Sequence, residues 1–132
     1  MSSAGIVGTV SQSGGVPTGA IIESGSNANG TYTRFADGTQ ICTRTVSYTG
    51  ISVSNPRGAL FFANYIPPVQ FAAPFIYPPE FSKLDIVSNT GLTWATTAVV
   101  ATATTTHGVY PVGLLNEVIA ATFFYFAKGR WF

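Results

Sequence analysis

The chain has 132 residues, which suits one domain with a modest core and is too short for two substantial domains. Only 8% of the residues are charged, against roughly 25% in an ordinary soluble domain, while 46% are hydrophobic and 14% are aromatic. The net charge of +1 and the scattered basic residues argue against nucleic-acid binding, and no apolar run reaches the ~18 residues of a membrane-spanning helix. Because so few charges cover the surface, we expect apolar area to be buried between copies of the chain in a homo-oligomer.

The N-terminal segment is rich in Gly, Ser and Thr and has weak hydrophobic patterning. We therefore interpret residues 1–18 as a flexible linker or attachment arm and residues 19–132 as the folded domain. The N-terminus lacks a basic region followed by a long apolar stretch, so no secretory signal is predicted. The single cysteine, Cys42, excludes an intrachain disulfide, fits assembly in a cytoplasm, and is predicted to be a small buried side chain on a strand.

A β-hairpin is the clearest local prediction. The pair Asp37-Gly38 separates two runs of β-branched and aromatic residues, which is a strong hairpin signal. A short strand is predicted before the hairpin, followed by a turn in which Gly and Asn tolerate positive φ. In chain order these elements are a strand at Gly19–Ser24, a turn at Gly25–Gly30, and strands at Thr31–Phe35 and Thr39–Tyr48.

The second half of the chain also favours strands. Prolines divide residues 50–80 into pieces too short for helices. Phe81–Val87 follows the prolines, and after it Gly91–Thr106 is almost wholly Thr, Ala and Val around Trp94. Because this second stretch is heavy in β-branched side chains, a strand is favoured there. Asn116 could cap a helix that runs to Ala127, but the aromatic run that follows favours a strand over residues 120–131. The sequence therefore predicts an all-β fold, a sandwich of short antiparallel strands.

Three segments carry a family resemblance. NANGTYTRFADGTQIC at 27–42 resembles the opening of the distal, C-terminal domain of bacteriophage tail fibres. The proline-bracketed segment Ala73–Pro79 and the Gly-Arg-Trp ending within Ala127–Phe132 are similar to later landmarks of such domains. Their order and spacing together cover about residues 19–132.

The resemblance implies a β-sandwich knob, intertwined as a homotrimer, that forms the tip of a virion tail fibre and binds the bacterial surface. The virion would be assembled in the host cytoplasm, and the arm at 1–18 would attach the knob to other tail or baseplate proteins. In this interpretation the turn and the C-terminus are structural or form the trimer interface, with Trp131 packed against a neighbouring chain and Arg130 paired with a carboxylate or a main-chain carbonyl. These structural residues are Asp37, Gly38, Gly129, Arg130 and Trp131.

Catalysis is not expected. Polysaccharide hydrolysis needs two carboxylates about 5–10 Å apart, and nothing in the sequence singles out a pair among the five acidic residues. Cys42 would need a base, and His107 is the only histidine. No cofactor or metal is predicted, although three copies of His107 on a threefold axis could hold a metal ion.

The amino-acid composition suits glycan binding better than catalysis. Aromatic rings stack on sugar rings, while Asn, Thr and main-chain groups form hydrogen bonds with sugar hydroxyls. The predicted receptor-binding residues lie in or beside loops: Tyr65, Asn89, Trp94, His107 and Tyr110. Two other functions stay open, a structural trimerisation cap that binds nothing, and a fibre or spike that decorates the capsid.

Overall fold

The computed structural model describes residues 5–132, and residues 1–4 lie outside this range. The regular elements within the range are all strands, so the predicted all-β class is confirmed. The described part of the chain contains no helix long and apolar enough to cross a membrane. The strands are β1 (Gln12–Ser13), β2 (Val16–Pro17), β3 (Ile22–Asn27), β4 (Gly30–Phe35), β5 (Thr39–Val53), β6 (Asn55–Arg57), β7 (Leu60–Phe62), β8 (Phe81–Asn89), β9 (Thr93–Val99), β10 (Gly108–Gly113) and β11 (Glu117–Arg130).

Two antiparallel sheets form the sandwich. The larger sheet has five strands in the order β3-β4-β5-β11-β8, and the smaller sheet has four strands in the order β6-β7-β10-β9. The short strands β1 and β2 form a separate hairpin. The chain passes between the two large sheets after β5, after β7, after β8 and after β10, so neighbours in a sheet are often distant in sequence.

The main core lies between the two large sheets. Phe123 and Val53 of the larger sheet are fully buried, and Val109 of the smaller sheet packs into the same cluster. A second cluster lies at the other end of the larger sheet, where Phe71 and Phe75 of the proline-rich segment cover Cys42. The prediction that Cys42 is a small buried side chain on a strand is confirmed.

The hairpin β4–β5 forms at the predicted turn. The Gly38 N–H donates to the Phe35 carbonyl at 3.1 Å, and Gly38 has a φ of 99°, a value that L side chains rarely adopt. The Asp37 carboxylate accepts a hydrogen bond from the Thr39 N–H at 2.9 Å, which closes the turn. The second strand of the hairpin runs on to Val53, five residues beyond its predicted end.

The preceding strand is shifted relative to the prediction. It covers Ile22–Asn27, so the turn expected at 25–30 is reduced to residues 28 and 29. Gly25 belongs to the strand because it pairs with Tyr32 of β4, whose ring occupies the space that a side chain at Gly25 would need. Gly25 is therefore needed for close packing against the Tyr32 ring and not for a turn.

The C-terminal segment is the strand β11, and the alternative of a helix from Asn116 is wrong. Its alternate side chains point into the core and away from it, which is the period of a strand. The inward-facing residues are Ile119, Ala121, Phe123, Tyr125 and Ala127. With β5 on one side and β8 on the other, β11 is a central strand of the larger sheet.

Part of the predicted linker at 1–18 lies against the folded domain. The Gly8 N–H donates to the Ile22 carbonyl at 2.9 Å, and the Ala20 N–H donates to the Thr9 carbonyl at 3.0 Å. Val10 is buried, and its N–H donates to a Glu23 carboxylate oxygen at 3.1 Å. The role of this segment as an attachment arm stays a prediction.

Candidate functional site

A groove with aromatic walls crosses the outward face of the smaller sheet, the face away from the core. Its volume is about 440 Å³. Strands β6, β7, β9 and β10 all contribute to it, so the groove runs across the whole width of this sheet. The residues that line it are Arg57, Leu60, Phe61, Phe62, Trp94, Thr96, Tyr110 and Val112.

The strand register brings these side chains together. Val112 of β10 pairs with Phe62 of β7 on one side and with Trp94 of β9 on the other. Tyr110 lies two residues from Val112 on the same strand, so both side chains point to the same face, and Tyr110 pairs with Thr96. The alternate residues of these strands face the core, which holds the outward side chains in place.

The aromatic rings of the groove contact one another edge to face. The Phe62 and Tyr110 ring centroids are 5.9 Å apart at an interplanar angle of 87°. Tyr65, in the loop after β7, flanks the groove with its ring 5.6 Å from that of Tyr110. Trp94, Tyr65 and Tyr110 keep 44%, 39% and 37% of their surface exposed, so their rings are held by neighbours yet open to a ligand.

Three of the five predicted binding residues therefore lie together, namely Tyr65, Trp94 and Tyr110. The prediction placed Tyr110 in a loop, whereas it lies on strand β10, and Trp94 lies on strand β9. Sequence reasoning missed the other residues of the groove wall, which are Arg57, Leu60, Phe61, Phe62, Thr96 and Val112. The signal available in the sequence was Gly58, because glycine favours a turn. In the structure Gly58 has a φ of 60° and joins the short strands β6 and β7, which the sequence analysis does not assign.

Asn89 lies outside the groove. It is the last residue of β8, and its side-chain oxygen accepts a hydrogen bond from the Gly91 N–H at 2.9 Å. The side chain thus closes the turn between β8 and β9, a structural use that is common for Asn.

His107 also lies apart, in a shallow hollow beside Pro79 and Phe81. Its Nδ1 is 3.2 Å from the Val99 carbonyl oxygen and its Nε2 is 3.3 Å from the Ser82 carbonyl oxygen. Among residues 5–132, no three His, Cys, Asp or Glu side chains lie close enough together to hold a metal ion. The hypothesis of a metal shared by three copies of His107 stays a prediction.

The C-terminus is bound to the β4–β5 turn of its own chain. The Arg130 guanidinium donates from Nη2 to the Asp37 carbonyl at 2.9 Å, one of the two partners predicted for it. The Trp131 indole N–H donates to the Phe35 carbonyl at 2.8 Å, and the Trp131 backbone N–H donates to the Gly38 carbonyl at 2.9 Å. The Arg34 guanidinium lies 5.7 Å from the centre of the Trp131 ring. These contacts support a structural role, whereas packing of Trp131 on a neighbouring chain stays a prediction.

The proline-bracketed segment joins the same cluster through Gln40. This side chain is completely buried, and its Nε2 donates to the carbonyls of Ala73 and Pro74, each at 3.1 Å. Gly129 lies so close to this segment that a Cβ there would be 2.9 Å from the Phe75 ring. The three segments that carried the resemblance thus meet at one end of the larger sheet.

The pKa values of two side chains in this cluster, Asp37 and Cys42, are shifted in directions that fit structural roles. Hydrogen bonds from Thr39, with a smaller contribution from Arg130, hold the pKa of the Asp37 carboxyl below its usual range. Burial raises the pKa of the Cys42 thiol, so the reactive thiolate form is disfavoured.

The outward face of the larger sheet is a second surface with apolar character. Phe81 keeps 52% of its surface exposed and contacts Phe126 at a ring-centroid distance of 6.0 Å. Val118 is 67% exposed on the same face. The only salt bridge among residues 5–132 also lies here, between Lys83 and Asp85 at 3.0 Å.

Comparisons with known proteins identify the fold. No protein-family model matches the chain, and no curated protein matches it in sequence. A solved structure of an N-truncated R1-type pyocin tail fibre is similar, with a TM-score of 0.56 and 11% identity over 82% of this chain and 84% of that one. C-terminal fragments of the P. aeruginosa R1 and R2 pyocin fibres have TM-scores of 0.56 and 0.50, with 11% and 21% identity over 82% and 83% of this chain. This chain spans only 28% and 26% of those two fragments. The chain therefore has a fold like that of pyocin tail fibres, and the predicted likeness to tail fibres is confirmed at the level of the fold.

Proposed function

We propose that this chain is the receptor-binding domain of a phage or phage-like tail fibre, and that it binds a glycan on the bacterial surface without cleaving it. The observation that carries the proposal is the groove on the smaller sheet. It places Trp94 and Tyr110 on one face, partly exposed, in a cavity of about 440 Å³. The tail-fibre-like fold gives the context in which such a groove faces a cell.

The walls of the groove suit sugars. Pyranose rings have apolar faces that stack on aromatic rings, and their hydroxyls accept and donate hydrogen bonds at the edges. Trp94 and Tyr110 supply the rings, and the Thr96 and Tyr110 hydroxyls supply polar groups beside them.

Binding without hydrolysis is supported by the composition of the wall. Glycoside hydrolysis needs a pair of carboxyl groups flanking the scissile bond. None of the residues that line the groove is Asp or Glu. The buried thiol of Cys42 lies in the second core cluster, away from this face.

We include trimer formation and virion attachment in the proposal. A chain with only 8% charged residues and with exposed apolar side chains such as Phe81 and Val118 is typical of a subunit that buries area against other copies. The virion tail is the location that the fold suggests, with residues 1–18 joining the domain to its neighbours.

A structural trimerisation cap is the second candidate function. It is favoured by the outward face of the larger sheet, where Phe81, Phe126 and Val118 form an apolar surface with few charges. This face lies on the side of the sandwich opposite the groove, so a cap would use this face for trimer formation and bind nothing through the groove.

The test of receptor binding uses the labelled full chain on a panel of intact bacterial strains, with purified surface polysaccharide of each strain as competitor. We expect binding to at least one strain, inhibition by its polysaccharide, and at least about tenfold weaker binding by Trp94→Ala, since aromatic anchors dominate such interfaces. Tyr77→Ala is the matched control, because Tyr77 is 68% exposed and lies outside the groove. Equal binding by the two variants would contradict the groove as the site. A properly assembled wild-type protein that binds no strain would favour the cap.

A further inference from the structure

One cation of the groove has no hydrogen-bond or salt-bridge partner among the residues that the structure describes. Three of the four arginines donate hydrogen bonds to groups of the same chain, namely Arg34 to Gln40 at 2.8 Å, Arg44 to the Gln70 carbonyl at 3.1 Å and Arg130 to the Asp37 carbonyl at 2.9 Å. The fourth, Arg57, makes neither a hydrogen bond nor a salt bridge within residues 5–132. Arg57 is exposed at the edge of the smaller sheet and lines the aromatic groove, so its guanidinium is available to a ligand bound there.

The position of Arg57 defines one end of the groove. It lies on the edge strand β6 and pairs with Leu60 of β7, while Trp94 lies on β9 at the opposite edge of the smaller sheet. Three strand spacings of about 4.8 Å separate these edges, and Arg57 lies two residues along the strands from the row that contains Trp94. The backbones of Arg57 and Trp94 are therefore roughly 16 Å apart. Both side chains line the same cavity.

We propose that the groove binds a glycan segment in which one sugar carries a carboxylate, and that Arg57 binds this carboxylate while Trp94 and Tyr110 stack on neighbouring rings. This inference rests on the proposed function and names the class of glycan. Guanidinium and carboxylate groups pair in a planar arrangement with two parallel hydrogen bonds, and Arg57 has all its donors free for it.

The charge of the wall favours a carboxylate over a phosphate monoester. Arg57 is the only charged residue that lines the groove, so the site offers one positive charge and no negative one. A carboxylate carries a single negative charge, whereas a phosphate monoester carries about two and is usually held by several cations or backbone N–H groups. The other residues of the wall are apolar or uncharged, and such residues favour contact with the uncharged sugar rings of the same glycan.

The test measures equilibrium binding of the full chain to purified O-polysaccharides and capsular polysaccharides of known repeat unit, with and without uronic acids. Each polysaccharide that binds is tested again after chemical reduction of its carboxyl groups to alcohols, and separately after removal of phosphate esters. The variants are Arg57→Gln, Arg57→Lys and Trp94→Ala. Lys128→Gln is the matched control, because Lys128 is the other cation without a hydrogen bond or salt bridge within residues 5–132, and it lies on the larger sheet.

We expect binding only to polysaccharides with a carboxylate, and a loss of about tenfold or more in affinity on carboxyl reduction or in Arg57→Gln. Arg57→Lys should recover part of the affinity, Lys128→Gln should bind like the wild type, and carboxyl reduction should not weaken binding by Arg57→Gln further. If Trp94→Ala loses binding while carboxyl reduction and Arg57→Gln have no effect, the glycan groove stands and the carboxylate proposal is overturned. Loss on dephosphorylation alone would assign a phosphate and also overturn it. If the wild type binds no polysaccharide, or Trp94→Ala binds as the wild type does, the proposed function fails as well.

Discussion

Replacement of Gln40 by leucine tests whether two of the segments that carry the resemblance, 27–42 and 73–79, are joined by one buried side chain. Gln40 is completely buried and connects two parts of the chain that are far apart in sequence. Its Nε2 donates to the carbonyls of Ala73 and Pro74, and its Oε1 accepts from the Arg34 Nε at 2.8 Å. Leucine has a similar size and keeps the apolar packing, so the change removes mainly these hydrogen bonds.

The expected cost follows from the groups left without partners. A buried polar group that loses its hydrogen bond costs about 1–3 kcal/mol, and Gln40→Leu affects three such groups. The Pro74 carbonyl and the Arg34 side chain are only partly buried and can turn to water, whereas the Ala73 carbonyl keeps only the weak thiol donor of Cys42. We therefore expect a loss of about 3 kcal/mol in the free energy of unfolding. For a domain of this size, that loss corresponds to a fall in Tm of roughly 10 °C.

The assay is urea unfolding followed by tryptophan fluorescence and circular dichroism, at one protein concentration for all variants because unfolding of an oligomer depends on concentration. Gln70→Leu is the matched control, since Gln70 is exposed and its side chain makes no hydrogen bond to any group of residues 5–132. We expect the control to stay within about 0.5 kcal/mol of the wild type. A loss below 1 kcal/mol in Gln40→Leu would refute the assignment of this residue as the link between the two segments.

Three further predictions concern single features. Gly38→Ala should destabilise by about 2–3 kcal/mol, because the residue has a φ of 99° and its Cβ would collide with the Arg130 guanidinium. Gly58→Ala, at a φ of 60° and with open space around it, should lose only about 1 kcal/mol in the same assay, and equal losses would contradict the contact. Tyr125→Phe should raise the unfolding free energy by up to about 1 kcal/mol, because the buried Tyr125 hydroxyl has no hydrogen-bond partner within residues 5–132. Burial raises the pKa of Tyr125 above the ordinary 10.0, so the wild type should lose stability above pH 10, where the unfolded chain releases this proton first, and the variant should lose less; parallel pH profiles would disprove this. Deletion of residues 129–132 should prevent assembly, as measured by sedimentation, and a truncated chain that remains a soluble trimer would show that the C-terminus is dispensable.

Local pattern in the sequence predicted the hairpin β4–β5 and the C-terminal strand β11. The Asp37-Gly38 turn has a specific backbone requirement, and alternating side chains on both sides of it give the period of a strand. The aromatic run near the C-terminus predicted β11 over the helix alternative for the same reason. The boundaries were less accurate, because β5 continues to Val53 through contacts with β11 that no local signal reveals.

The sequence predicted the chemistry of the groove better than its location. Aromatic residues were expected to form the binding surface, and Tyr65, Trp94 and Tyr110 do lie together. Asn89 and His107 were chosen by the same loop argument, but each is bound to backbone groups elsewhere in the structure. A polar residue beside a turn is often used to close the turn, and the sequence does not distinguish that use from ligand binding.

By itself, the sequence determined the all-β class, the central hairpin and the shortage of charge, because each depends on neighbouring residues or on composition. Only the tertiary structure decided that Phe62, Trp94 and Tyr110 share one groove with Arg57. The period of a strand shows which residues share its face, but it does not show which strand lies beside it. Here β10 lies between β7 and β9, so pairing between strands distant in the chain creates the groove and places the free guanidinium at its edge.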